Sequence, residues 1–221
     1  MQNAKLSEEE LVYEQKYEEI SIGYAFVKRL IDVICSFLGI IALSPVFLIV
    51  SIAIRIESTG KAIFVQDRVG FEGKEFKMYK FRSMVQDAED LKDKLKEKNE
   101  MNGPMFKIKK DPRVTKVGAF IRKTSIDELP QLINVLKGEM SLVGPRPSLP
   151  EEVKEFEPWM MERFSVKPGL TCYWQVSGRN DIGFYEWMEL DIKYVKEKGI
   201  LVDMSLILKT VSVLLGDKHA S

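Results

Sequence analysis

The chain has 221 residues, 45% hydrophobic and 30% charged, enough for one domain with a buried core plus appendages. Its 33 basic and 33 acidic residues cancel, so no global positive field points to nucleic acid. The single histidine, His219, lies near the C-terminus where chains fray. That removes His-based triads, His-based zinc sites and imidazole acid-base chemistry, and leaves carboxylates, Lys/Arg and a hard metal such as magnesium as candidate chemistry.

Residues 7–20 read as a short amphipathic acidic helix. The run 33–54 carries no charge, is long enough to enter a bilayer, and has Ser44-Pro45 at its middle. Its flanks are basic on both sides, Lys28 and Arg29 before it and Arg55 after it, and such flanks mark the cytoplasmic side. Proline removes a backbone donor, and Ser44 can bond a carbonyl that a kink frees. The expected element is a re-entrant helix-break-helix; a buried helix hairpin and a kinked spanning helix are the alternatives. The run lacks the basic start and small-residue exit of a signal peptide and is expected to stay in the mature protein. Cys35 and Cys172 have neither disulfide-framework nor metal spacing, which fits a reducing, cytoplasmic setting.

Beyond the apolar run, 62–65 and 74–81 flank the turn of Gly70 and Gly73, so a hairpin is expected. Residues 87–100 are charged at nearly every position with opposite signs interspersed, and read as a solvated helix. Further helices are expected over 126–137, stopped by Gly138, over 151–164, 184–196 and 203–215, the last too short to span a membrane. Strands are expected over 141–143 and 170–176.

Residues 124–131 hold the densest chemistry. Ser125 and Glu128 have capping-box spacing, and Asp127 in a first turn complements the helix dipole, so local structure alone accounts for all three. The same geometry suits phosphate, since helix N-termini favour anions and Arg122 and Lys123 lie one turn upstream. Two adjacent carboxylates repel unless cations or a divalent metal lie between them, and an aspartate can attack phosphorus. Gly144-Pro145-Arg146-Pro147 is a rigid turn holding an arginine whose planar fork suits phosphate, or simply a strand exit with a surface arginine. Arg179, between Gly178 and Asn180, has the same ambiguity. Asp191 is the only charge on the apolar face of Phe184, Trp187, Met188 and Val195; it calls for a partner such as Arg179 or Arg146, or a metal.

Taken in order, Lys80-Phe81-Arg82-Ser83-Met84, the segment from Arg122 to Gln131, the segment from Gly138 to Pro147, and Ser177-Gly178-Arg179-Asn180 resemble the bacterial sugar transferase family, the monotopic phosphoglycosyl transferases. The resemblance covers about 24–215 and includes the Ser44-Pro45 break. It implies a monotopic protein with a re-entrant membrane helix, a compact α/β (α+β) catalytic domain on the cytoplasmic face of the inner membrane, and amphipathic helices at the interface. It implies transfer of a sugar 1-phosphate from a UDP-sugar to polyprenol (undecaprenyl) phosphate with release of UMP. By matched position, Asp127 is the nucleophile and Glu128 a magnesium ligand, with Asp127 beside it; Lys80, Arg122 and Arg146 hold phosphates; Arg179 and Asp191 sit in the nucleotide-sugar pocket; and Ser44 and Pro45 turn the chain in the membrane.

The expected organisation is an acidic extension over 1–23, a membrane helix over 24–57 and a catalytic domain over 58–221. The extension and the charged stretch 87–104 depart from a minimal family member, and self-association into a homo-oligomer is left open there. Two other functions compete: a glycoside hydrolase, whose carboxyls would face each other across a sugar rather than adjoin in sequence, and a non-catalytic membrane-anchored scaffold, which leaves the Asp-Glu pair unexplained.

Overall fold

The computed structural model describes residues 21–92, 94, 95, 99, 100, 103, 104, 106, 108, 110–177 and 182–216. The expected helix over 7–20 and Arg179 lie outside them. The architecture is mixed α/β with a long apolar helix at its N-terminal end.

The apolar run forms α1 (Ile22–Glu57), one helix of 36 residues that continues through Pro45. Ser44 Oγ donates to the Ile41 carbonyl at 2.8 Å, next to the bond that the proline cannot make. Helical structure is thus uninterrupted where a break was expected. β1 (Ile63–Val69) and β2 (Glu75–Phe81) form the expected antiparallel hairpin, with Ile63 opposite Phe81 and Val69 opposite Glu75. Its tight turn places Gly73 at φ 71°, a left-handed conformation that glycine adopts without a Cβ penalty.

The charged stretch contributes α2 (Ala88–Lys92), and part of the rest is outside the described residues. α3 (Lys116–Lys123) starts at Thr115, whose side chain accepts from Gly118 N. Glu57, the last residue of α1, accepts from the amides of Lys116 at 2.7 Å and Val117 at 3.0 Å, placing a carboxylate on that helix N-terminus.

The helix expected over 126–137 divides into a 3-10 turn, Ile126–Glu128, and α4 (Gln131–Lys137), with Pro130 preceding the second. Ser125 adopts a left-handed φ of 55° and does not cap the turn, so the expected capping box is absent. α4 stops on Gly138 at φ 84°, as its position predicts. β3 (Ser141–Val143) pairs in parallel with β4 (Gly169–Thr171). Between them, the helix expected over 151–164 is replaced by α5 (Pro150–Val153) and a 3-10 stretch, Pro158–Ser165, because Pro158 disfavours a helical residue before it. The strand expected over 170–176 ends at Thr171 and gives way to α6 (Tyr173–Val176). α7 (Phe184–Glu197) and α8 (Ile200–Gly216) occupy the two remaining expected helices.

The domain grips α1 along its length. Lys28 and Arg29, read as a basic membrane flank, turn into the protein instead. Lys28 Nζ donates to the Val143 carbonyl at 3.0 Å and pairs with Asp203 at 2.8 Å, and Tyr24 and Tyr194 donate to the same carboxylate. Arg29 donates to the carbonyls of Val135 and Leu136 at the end of α4, at 2.6 and 2.7 Å. Asp32 accepts from Ser141 Oγ and the Leu142 amide at 3.0 and 2.9 Å. Near the other end, Val50 and Ile54 pack with Phe81 and Ile121. Phe37, Leu38, Ile41, Leu48 and Ile49 remain exposed on the outer side. Cys35 and Cys172 are both free thiols.

Candidate active site

Three segments converge on one carboxylate. The left-handed Ser125 ends the path out of α3 and starts the 3-10 turn that carries Asp127 and Glu128. Lys80, next to last in β2, places Nζ 3.2 Å from Glu128 Oε1, and Arg146 Nη1 approaches the same oxygen at 3.6 Å. Arg146 also lies over the Trp174 ring, 5.8 Å from its centroid.

Burial pushes the Asp127 carboxyl up to about 6, with the Glu128 charge adding to the rise and Lys80, Arg122 and Arg146 opposing it. Burial likewise lowers Lys80, against the pull of Glu128. Both shifts arise first from burial, and the neighbouring opposite charges only partly offset it. A cavity of about 10 Å³ beside the pair, lined by Met78, Lys80, Glu128, Gln131, Arg146 and Gln175 among others, has room for about one water.

The turn bearing Arg146 is held from four directions. The carbonyls of Pro145, Arg146, Pro147 and Ser148 accept, in that order, from Gly169 N at 2.9 Å, Arg163 at 2.6 Å, Arg68 at 3.0 Å and Val69 N at 2.9 Å. Gly144 and Gly169 let the two chains cross: a Cβ on Gly144 would lie 2.2 Å from the Lys167 carbonyl oxygen, and one on Gly169 2.1 Å from Gly144 N.

Asp127, Glu128, Lys80 and Arg146 are thus brought together. Arg122 is exposed near the end of α3 and reaches Asp127 through its charge. Asp191 stands apart: its Oδ2 pairs with Arg163 at 2.7 Å, with both side chains buried, rather than with Arg146. Burial pushes its carboxyl up to about 6, and Arg163 opposes the rise. Arg68 and Arg163 were missed in the sequence. The available signal was Arg163 itself, one cation in the apolar-rich run 159–166, matching the one carboxylate on the apolar face of α7.

Among the described residues no group of three His, Cys, Asp or Glu side chains gathers into a complete metal cage. Two adjacent carboxylates, one raised by burial and then by the charge of the other, suit a magnesium ion that would complete its shell with substrate phosphates and water.

Residues 23–217 match the family described as bacterial sugar transferase. The chain belongs to that family. It is 46% identical over 206 residues to the galactosyl transferase CpsE of Streptococcus agalactiae, covering 93% of this chain and 45% of that protein. It is 42% identical over 198 residues to an undecaprenyl-phosphate galactose phosphotransferase of Salmonella typhimurium, covering 86% of this chain and 40% of that protein. With the exopolysaccharide production protein ExoY of Sinorhizobium fredii it shares 38% identity over 191 residues, 83% of each chain. The chain therefore spans less than half the length of the first two relatives and most of the third.

Proposed function

We propose that the chain is a polyprenyl-phosphate sugar-1-phosphate transferase, which moves a sugar 1-phosphate from a UDP-sugar to undecaprenyl phosphate and releases UMP in polysaccharide assembly. The observation that carries this reading is the Asp127-Glu128 pair with Lys80 and Arg146 on one oxygen of Glu128. The names of similar proteins, a galactose phosphotransferase and an N-acetylgalactosaminephosphotransferase acting on undecaprenyl phosphate, support the reaction class.

Asp127 attacks the phosphorus that bears the sugar, an Asp127 oxygen-phosphorus bond forms, and UMP leaves with the electron pair of the broken phosphoanhydride bond. Its raised carboxyl still ionises near neutrality, so the attacking oxygen is available there. Lys80, Arg122 and Arg146 hold the phosphates and oppose the charge that develops on the phosphoryl oxygens and leaving group. Arg179 contributes to the nucleotide-sugar pocket. Glu128 and Asp127 would hold magnesium, which when bound would neutralise diphosphate charge. The polyprenol phosphate oxygen then attacks the same phosphorus and frees Asp127, in a ping-pong sequence.

α1 enters and leaves one face of the membrane, bent at Ser44-Pro45, and α8 helps to seat the domain on the cytoplasmic surface through the exposed Leu201, Met204, Leu208 and Val211. Contact of one domain with both ends of α1 supports this arrangement. Lys28 and Ile54 would stand ~39 Å apart on a straight helix, more than the ~30 Å hydrocarbon layer, yet both pack against that domain. Cysteines introduced at the exposed Ile22 and Ile56 in a Cys35→Ser background should label from the same side; opposite sides contradict the arrangement. For the reaction, protein incubated with magnesium, undecaprenyl phosphate and a panel of UDP-sugars should release UMP with at least one donor, and absence of UMP with every donor contradicts it.

A further inference from the structure

Two of the four donors that hold the turn at 145–148 are the buried arginines Arg68 and Arg163. Arg163 is the more elaborate of the two. One guanidinium nitrogen donates to the Arg146 carbonyl at 2.6 Å and to Asp191 Oδ2 at 2.7 Å, and the other terminal nitrogen makes a short hydrogen bond to Ser148 Oγ. Phe156 and Phe164 flank it at 5.5 and 5.8 Å. Its side chain is 1% exposed and that of Asp191 0%.

A buried ion pair of this kind is a weak stabiliser, because desolvation offsets much of its attraction, and apolar residues of similar volume often replace it at no cost. What apolar residues cannot replace is the rigid fork of donors. Here Asp191 and the Arg146 carbonyl share one nitrogen of that fork, so the carboxylate orients the group that fixes the backbone from which Arg146 reaches Glu128 and Trp174.

We propose that Arg163, oriented by Asp191, is a positioning residue that sets Arg146 against the Asp127-Glu128 pair. Asp191 then acts through Arg163 and not by contact with the nucleotide sugar. The proposal rests on the reading of that pair as the reaction centre.

The test replaces the ion pair with apolar side chains, Arg163→Met with Asp191→Leu, and checks folding by thermal unfolding in detergent. Displacing a phosphate-binding group by about 1 Å can cost ~10²-fold, so kcat/KM for UMP release should fall about 10- to 100-fold. In an Arg146→Ala background the same two substitutions should add less than about twofold, because residues acting through one partner are non-additive. An undiminished rate, or losses that multiply in that background, overturns the proposal. Hydrogen exchange gives a readout independent of turnover: the amides of Val69 and Gly169, which donate into the turn, should lose protection while those within α4 keep it. Unchanged protection overturns the proposal even if the chain transfers no sugar phosphate at all, in which case the functional reading has failed separately. If the double variant does not fold, Asp191→Asn, which keeps volume and an acceptor, should show the same pattern at smaller amplitude, and its absence overturns the proposal equally.

Discussion

Lys80 Nζ stands 3.2 Å from Oε1 of Glu128, the same oxygen that Arg146 approaches at 3.6 Å. Lys80 is thereby both a partner for Glu128 and one of the charges that hold Asp127 down. Removing a preorganised charge of this kind costs about 10²–10³ in rate, and Lys80→Met is expected to lower UMP release by that order. Lys80→Arg should recover part of it, because the charge returns with a different shape. Steady-state rates of both variants check this, and a Lys80→Met rate within twofold of the unsubstituted chain contradicts it.

The raised Asp127 carboxyl has a stability signature. A carboxyl whose folded pKa exceeds its unfolded value binds its proton more tightly when folded, so its contribution is favourable at low pH and is lost as pH rises through the folded value. With Asp127 pushed up to about 6, that loss is expected between pH 4 and pH 6 or slightly above. Asp127→Asn should match the unsubstituted chain in stability at the acid end and exceed it by about 1–3 kcal/mol at pH 8. Thermal unfolding across pH in a chelator, which keeps divalent ions from masking the effect, measures it. A stability gain that does not grow with pH contradicts it.

The crossing of Gly144 and Gly169 leaves no room for a methyl group, since backbone atoms are 2.1–2.2 Å from each ideal Cβ position. Backbone cannot move aside as a flexible side chain can. Gly144→Ala is expected to cost about 1–3 kcal/mol or more and to lower activity further than stability alone explains, because the turn carrying Arg146 begins there. Denaturant unfolding and UMP release on the same preparation test this, and a neutral Gly144→Ala contradicts it.

Lys28 and Asp203 join the start of α1 to α8 at 2.8 Å. Breaking one side of a largely buried pair costs about 3–5 kcal/mol, whereas replacing both members with apolar residues can be nearly neutral. Lys28→Met should therefore destabilise strongly, and Lys28→Met with Asp203→Leu should be the more stable of the two, although Tyr24 then loses its Asp203 acceptor and Tyr194 keeps only the Val143 carbonyl. Thermal midpoints in detergent decide this; equal losses in the single and double variants contradict it.

Much of this arrangement was legible from local pattern. The hairpin, the Gly138 stop, β3, α7 and the apolar length of α1 follow from periodicity and turn residues, which act over a few positions. Lys80, Asp127, Glu128 and Arg146 were readable as charged residues beside turns, and their meeting supports the grouping that family resemblance implied. What was not legible depends on distant partners. Ser125 has the spacing of a cap, yet the chain must swing out of α3 before α4 starts, so Ser125 takes a left-handed conformation instead. Lys28 and Arg29 look like a membrane flank until β3 and α4 supply their acceptors. Asp191 clearly needed a cation, but its partner lay 28 positions away, in a stretch that Pro158 turned from helix into 3-10 structure.

The most direct test of the central claim is intact mass spectrometry of the protein incubated with magnesium and a UDP-sugar donor but no polyprenol phosphate. With a competent donor, the expected result is a mass increase equal to one phosphosugar, absent in Asp127→Asn and lost from the unsubstituted protein when polyprenol phosphate is added. An adduct that persists in Asp127→Asn, or UMP release with no adduct at any time, contradicts Asp127 as the nucleophile.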